Sequence, residues 1–349
     1  MQIHHNTDRL PVFRRAVVTI GTFDGVHTGH ARILHQLREE AARVDGETVI
    51  ITFFPHPRKV VHGGTQDVRL INTLEEKIEL LSWQKIDHLV IVPFTAAFSQ
   101  LTAQEYIEEF LLAKFRPHTV IIGYDHRFGK GRQGDYHLLE DYSATHGFRL
   151  QEIPVQLLDE VSVSSTRIRE AILRADISTA NQLLGYPFFF SGTVIKGNRL
   201  GRTLGYPTAN LGIGNPEKLT PADGVYAVEA QLLPAHPGTG STGPDEAQRQ
   251  SGEEAQQQPT AAAGIDTPGI FDGPRLGGMM GIGIRPTING THRTIEVNLF
   301  DFDRDIYERE LRVFVKAFLR PELKFNGLEE LKAAMAQDKL DSLAALATR

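Results

Sequence analysis

From residue 16 to about 155, short runs rich in Val and Ile alternate with stretches whose apolar residues recur every three or four positions. The runs are Ala16–Ile20, Thr48–Phe54, His88–Val92, Thr119–Gly123 and Arg149–Pro154. Continuous apolar runs of this length suit strands covered on both faces. Between them Ala31–Val44, Leu74–Gln84, Ala103–Phe115 and Tyr136–His146 carry helical spacing. The alternation predicts βαβ units around a parallel sheet. Such a sheet takes its ligand at the carboxyl ends of the strands, near a switch in strand order. Two more helices, Ser165–Ala175 and Ile177–Leu184, close this half.

The rhythm changes at Gly185-Tyr186-Pro187. Phe188–Ile195, Val225–Leu233, Met280–Ile284, Thr294–Leu299 and Glu310–Phe318 follow one another without intervening helices and predict a small antiparallel barrel. A helix from Gly327 to about Leu346 ends the pattern and can cap it. Pro234–Arg275 almost lacks large apolar residues and predicts a flexible loop between two strands. The expected organisation is an α/β, Rossmann-like unit over 1–185 and a β-barrel unit with a C-terminal helix over 186–349, the latter carrying an insertion at about 234–275.

Composition adds exclusions. The 349 residues exceed one typical core, and 41% hydrophobic residues suffice for two. A net charge of −6 argues against a general nucleic-acid binder. With no cysteine, disulfides, thiolate catalysis and cysteine-ligated zinc are out. Met1 to Arg15 has no apolar signal core, and no apolar run approaches the roughly 18 residues of a membrane helix. We expect a soluble cytoplasmic protein, monomeric or weakly homo-oligomeric, acting on small molecules and not on nucleic acid or membrane.

The candidate chemistry starts at Ile20-Gly21-Thr22-Phe23-Asp24-Gly25-Val26-His27-Thr28-Gly29-His30, between the first strand and the first helix. Unpaired N–H groups and the helix dipole favour an anion there. Gly21, Gly25 and Gly29 let the backbone approach phosphates, and His27 and His30 can donate from ring N–H groups. Two histidines three apart also suit a solvated helix face or a metal pair, although the zincin pattern H-E-x-x-H is absent. Val163-Ser164-Ser165-Thr166-Arg167-Ile168-Arg169 sets two hydroxyls and two guanidiniums at a helix start, which suits a triphosphate and equally a serine N-cap with surface arginines. Phe53-Phe54-Pro55-His56-Pro57 can shape a pocket wall. The loop Gly123 to Asp135, with Asp125 near its start, lacks Walker A spacing and reads as a polar loop at the mouth of the site.

A second candidate spans Gly192 to Leu211. Glycines 197, 201 and 205 permit tight turns against a nucleotide, and Thr208 and Asn210 offer oxygens to Mg²⁺. Further on, Glu296 sits in the alternating run Thr294–Leu299, where periodicity does not choose between an inward and a solvated face.

The histidine string resembles the H-x-G-H signature of nucleotidyltransferases. With the Phe-Phe-Pro-His-Pro, Gly123–Gly129 and Ser164–Arg169 stretches it resembles the N-terminal half of prokaryotic bifunctional riboflavin kinase/FAD synthetases. His126 stands where that family commonly has Phe. The string Pro207-Thr208-Ala209-Asn210 resembles the riboflavin kinase signature. That likeness continues through Gly224-Val225-Tyr226, Gly283–Thr287, Ile295–Leu299, Phe300–Asp303 and Phe318–Pro321. The resemblance implies two reactions: ATP and Mg²⁺ convert riboflavin to FMN in the barrel, and a second ATP adenylylates FMN to FAD in the α/β unit. It implies that Glu296 is the general base of the kinase, that Gly21, Phe23, Asp24, Gly25, Gly29, Asp125, Ser165, Thr166 and Arg169 contact nucleotide or flavin, and that Gly197, Gly201, Gly205, Thr208 and Asn210 do so in the kinase. A different adenylyl- or cytidylyltransferase, or a non-catalytic flavin or RNA binder, remains the alternative at this point.

Overall fold

The computed structural model describes residues 1–61, 69–123, 125–153, 163–197, 201, 204–234, 273–287 and 290–347. The expected insertion at 234–275 lies almost wholly outside these residues, as does the predicted end of the fifth strand at Pro154.

Six parallel strands form the first sheet: β1 (Gln2–His4), β2 (Val17–Ile20), β3 (Thr48–Phe54), β4 (His88–Pro93), β5 (Thr119–Gly123) and β6 (Arg149–Ile153). Their spatial order is β1-β4-β3-β2-β5-β6, and every pairing is parallel. From β2 the chain builds outward through β3 and β4, then returns to lay β5 against the other side of β2. The order reverses there, so the carboxyl end of β2 is the switch point where such sheets open a crevice. The helix after β2, α1 (Thr28–Val44), starts three residues earlier than its spacing predicts, because His27 caps it. Its Leu34, Leu37, Ala41 and Val44 are buried against the sheet.

Two short elements follow β3: α2 (Pro57–Val61) and α3 (Leu74–Ser82). A reciprocal Thr73–Glu76 capping box starts α3, and Thr102–Glu105 does the same for the helical stretch 103–115, whose middle, Tyr106–Leu112, winds as a π-helix. Tyr136–His146 and Ile177–Leu184 form helices with the predicted bounds, and Ser165–Leu173 stops two residues short.

The second half is a closed antiparallel barrel of β7 (Phe189–Ile195), β8 (Ala209–Gly212), β9 (Gly224–Leu232), β10 (Leu276–Thr287), β11 (Gly290–Leu299) and β12 (Glu310–Arg320), in the order β10-β11-β8-β7-β12-β9. The helix Leu328–Ala347 lies across β9, β10 and β12, fixed by a two-pronged ion pair of Arg320 with Asp338 at 2.7 Å. The fold class inferred from the alternation of elements is therefore the observed one: a Rossmann-like α/β unit and a small antiparallel barrel with a terminal helix.

The two halves do not pack as separate bodies. The barrel core of Phe188, Tyr226, Met280, Val297 and Val313 is continuous with Ile168, Ile172, Ile177 and Leu183 of the two preceding helices and with Ile71. Conversely Phe189 and Phe314 of the barrel join the core between α1, α3 and the sheet. Arg312 of β12, almost fully buried, forks onto Glu79 of α3 at 2.7 and 3.0 Å.

Candidate functional sites

The chain leaves β2 in an unusual conformation. Phe23, Gly25 and Val26 have φ of 48°, 92° and 38°. A β-branched residue with left-handed φ is disfavoured by order of 1 kcal/mol or more, so the turn needs external support. Asp24 supplies much of it. Its buried carboxylate accepts N–H bonds from Ile71 and Asn72 at 3.0 and 3.3 Å and a guanidinium bond from Arg169 at 2.6 Å. Its carbonyl accepts from Ser165 Oγ at 2.8 Å. Lys77 Nζ and Thr52 Oγ1 donate to the carbonyl of Thr22 at 2.8 and 3.2 Å.

The turn delivers His27 and His30 as a stacked pair, ring centroids 3.7 Å apart. His27 Nδ1 accepts the N–H of His30 at 3.3 Å, which leaves Nε2 as the protonated, donating nitrogen. Gly29 permits this: a Cβ there would meet the His27 ring at 3.2 Å. Phe23 underlies His30, centroids 4.8 Å apart. Burial pushes the pKa of His27 down to about 4 and that of His30 well below its ordinary value. Both rings are held neutral near pH 7, so each carries one ring N–H and no positive charge. His30 Nδ1 is buried with no protein partner among the described residues.

Positive charge comes from other groups. Arg169 is bonded through Nη2 to Asp24 and through Nε to the carbonyl of Arg69. Lys77 was not singled out in the sequence. It lies on the apolar stripe of Leu74, Ile78 and Leu81 in α3, where a charged residue is out of pattern, and burial lowers its pKa to about 8. His56, also held down to about 4 by burial, feels the charges of Asp24, Lys77 and Arg169. Of the Ser164–Arg169 stretch, Ser164 caps its helix by accepting from Arg167 N–H at 3.2 Å, Ser165 and Arg169 reach the turn, and Thr166 is exposed. Asp125 is exposed just past the end of β5, the strand beside β2. His126 fills an aromatic slot, its ring 5.8 Å from Phe128, with burial lowering its pKa to about 4.

In the barrel, Glu296 lies directly across from Asn210 on β8 and from Gly281 on β10. Ile295, Val297 and Leu299 point into the core, so Glu296 and Asn210 share the outer face. The interior alternative left open by periodicity is thereby removed. Gly197 and Gly201 pack closely beside this face. A Cβ on Gly197 would stand 2.2 Å from Asn210 Nδ2, and one on Gly201 would stand 2.3 Å from the carbonyl of Tyr206. Gly205 has φ of 85°. Beside it opens a cavity of about 260 Å³ lined by Val194, Thr208, Val297, Leu299, Phe302 and Tyr307. Asp303 and Asp305, in the segment after β11, also line it.

A stacked histidine pair at the switch point of a parallel sheet, and a closed barrel with glycines packed against Asn210 and Thr208, are an arrangement that fits two nucleotide-dependent transfers. Residues 11–167 match the family model described as FAD synthetase, and residues 184–346 match the one described as riboflavin kinase. The chain is 33% identical over 336 residues to the bifunctional riboflavin kinase/FMN adenylyltransferase of Escherichia coli (strain K12), covering 96% of this chain and 94% of that one. It is 34% identical to the protein of the same description from Listeria monocytogenes, covering 94% and 91%. A solved structure from Streptococcus pneumoniae described as a macrolide-efflux protein superposes with a TM-score of 0.78 at 27% identity over 98% of both chains. No helix among the described residues is long and apolar enough to cross a membrane.

The chain belongs to the bifunctional riboflavin kinase/FMN adenylyltransferase family. It uses ATP to phosphorylate riboflavin to FMN, and it transfers AMP from ATP to FMN, giving FAD and pyrophosphate.

Proposed function

We propose that the turn after β2 carries out the adenylyl transfer and that the outer face of β8 and β11 carries out the phosphorylation, with residues 1–185 and 186–349 as the two catalytic units. The observation behind the first assignment is the stacked His27–His30 pair at the start of α1, set at the switch point of the sheet. An FMN phosphate oxygen is already anionic at neutral pH, so its attack on the α-phosphorus needs no base. Charge building on the α-phosphate and on the leaving pyrophosphate needs positioned donors. His27 Nε2–H, the first N–H groups of α1 and its dipole supply them, and Gly21, Gly25 and Gly29 let the backbone close in. Ser165, Thr166 and Arg169 hold the triphosphate, and Asp24 fixes the turn and Arg169. Phe23 shapes the floor under His30, and Asp125 stands at the mouth.

In the barrel the attacking group is a ribityl hydroxyl, which must lose a proton. Glu296 accepts it, a general-base role consistent with its place opposite Asn210. Thr208 Oγ1 and Asn210 Oδ1 are hard oxygen donors next to Gly201 and Gly197, and they fit Mg²⁺ with nucleotide phosphates as its other ligands. Bound there, the ion would neutralise phosphate charge. The 260 Å³ cavity beside Thr208 takes the flat ring of a substrate. We place the protein in the cytoplasm as a monomer or weak homo-oligomer.

Two variants separate the halves. His27→Ala abolishes FAD formation from FMN while riboflavin is still phosphorylated. Glu296→Gln blocks phosphorylation while added FMN is still adenylylated. Chromatography of flavins after incubation with ATP and Mg²⁺ reads both. FAD formation by His27→Ala, or full kinase activity in Glu296→Gln, rejects the corresponding role.

A further inference from the structure

The supports of the His27 turn come from two sources. Asp24, Thr52, Lys77, Ser165 and Arg169 belong to the α/β unit. A second set comes from beyond residue 185. The hydroxyl of Tyr186 donates to the carbonyl of Gly25, inside the left-handed stretch, and stands 3.3 Å from Asn72 Oδ1. One hydroxyl proton cannot serve both acceptors. Rotating the Asn72 amide by half a turn lets Nδ2, otherwise without a partner among the described residues, donate to the Tyr186 oxygen. Burial pushes the Tyr186 phenol far up, so it remains a neutral donor at any working pH.

Lys218, between β8 and β9, holds the other side. Its ammonium is buried and bonded to the carbonyl of Ile71 and to Glu76, each at 2.5 Å. The backbone of Leu70 receives an N–H from Leu219 and gives its own to Glu217, both at 2.8 Å. Segment 70–72 is thus clamped from the barrel on one side. On the other, Ile71 and Asn72 present the two N–H groups that hold the Asp24 carboxylate.

We propose that Tyr186 and Lys218 of the barrel half are positioning residues for adenylyl transfer, acting through Gly25 and through segment 70–72 on the turn that carries His27 and His30. The dependence runs one way. Neither residue lines the cavity beside Thr208 or sits on the Glu296 face. The proposal rests on the reading of His27 as part of the adenylyl-transfer site.

The test uses the full chain, with FMN adenylylation and riboflavin phosphorylation measured on the same preparation. Tyr186→Phe removes one oxygen and keeps the ring. Loss of one buried hydrogen bond at the turn lowers kcat for adenylylation about tenfold. KM for ATP and FMN and the rate of phosphorylation stay within about twofold, because the bond acts on alignment in the transition state. Lys218→Met gives a larger loss of the same kind. Should it fail to fold, Tyr186→Phe decides the matter alone. Wild-type adenylylation in a folded Tyr186→Phe overturns the proposal. Equal loss of both activities also overturns it, since a general weakening of the fold would do that. His27→Ala is the reference: if it retains adenylylation, the site reading falls and this inference with it.

Discussion

His27 and His56 are buried and His126 is half-buried, and desolvation holds each neutral with a pKa of about 4. In the unfolded chain each titrates near 6.5. Between these values the unfolded state binds more protons than the native state, so stability rises with pH there and is lost as pH falls from about 6.5 toward 4. His126→Phe, which keeps an aromatic ring in the slot beside Phe128, removes one such group. It should flatten the decline of Tm between pH 7 and pH 5, measured by thermal denaturation; an unchanged slope refutes the neutral assignment. At this scale the sequence singles out residues that the fold gathers at one turn and gives little sign of the groups that support them. His27 and His30 stand out by spacing. The sequence places Asp24 and Arg169 at the same site, but their mutual bond at 2.6 Å is a long-range pairing that spacing does not encode. Lys77 left a trace, a charge on an apolar stripe, which the helical pattern around it obscured.

The secondary elements of the α/β unit were read nearly to their ends, because both faces of its strands are buried and the runs are continuous. Elements with weaker patterns escaped. β8 begins inside Pro-Thr-Ala-Asn, with no alternation to mark it, and β1 is three polar-flanked residues paired to β4. β10 and β11 extend beyond their apolar centres, because backbone pairing continues where side-chain pattern fades. Two substitutions probe single elements. Gly197→Ala forces a Cβ against Asn210 and should cut phosphorylation at least tenfold while FMN adenylylation persists; a kinase of normal activity shows that the contact adjusts. Asp338→Ala leaves Arg320 without its partner under the terminal helix. Removing one partner of a fully buried pair costs roughly 3–5 kcal/mol, and with the Arg320 side chain 22% exposed the loss here falls at or below the low end of that range. Urea denaturation should show that loss, and a change below about 0.5 kcal/mol, the range of ordinary surface substitutions, means the helix is held by other contacts.

At the scale of the whole molecule, the change of rhythm at Gly185 marks where parallel pairing ends and antiparallel pairing begins. Packing follows another line. The helices Ser165–Leu173 and Ile177–Leu184 precede the change in sequence but join the barrel core, and Asn181 bonds the backbone of Phe188 and Val315 at 2.7 and 3.0 Å. Chain order shows which residues are neighbours along the backbone; it does not show which apolar faces meet. Phe189 and Phe314 are barrel residues by strand and sheet residues by burial. Heat therefore has no seam along which to open the molecule by halves. Exposing either half would strip those two rings of their surroundings and break the ion pairs of Arg312 with Glu79 and of Lys218 with Glu76. In a calorimeter the chain should show one cooperative heat-absorption peak, with calorimetric and van't Hoff enthalpies in agreement.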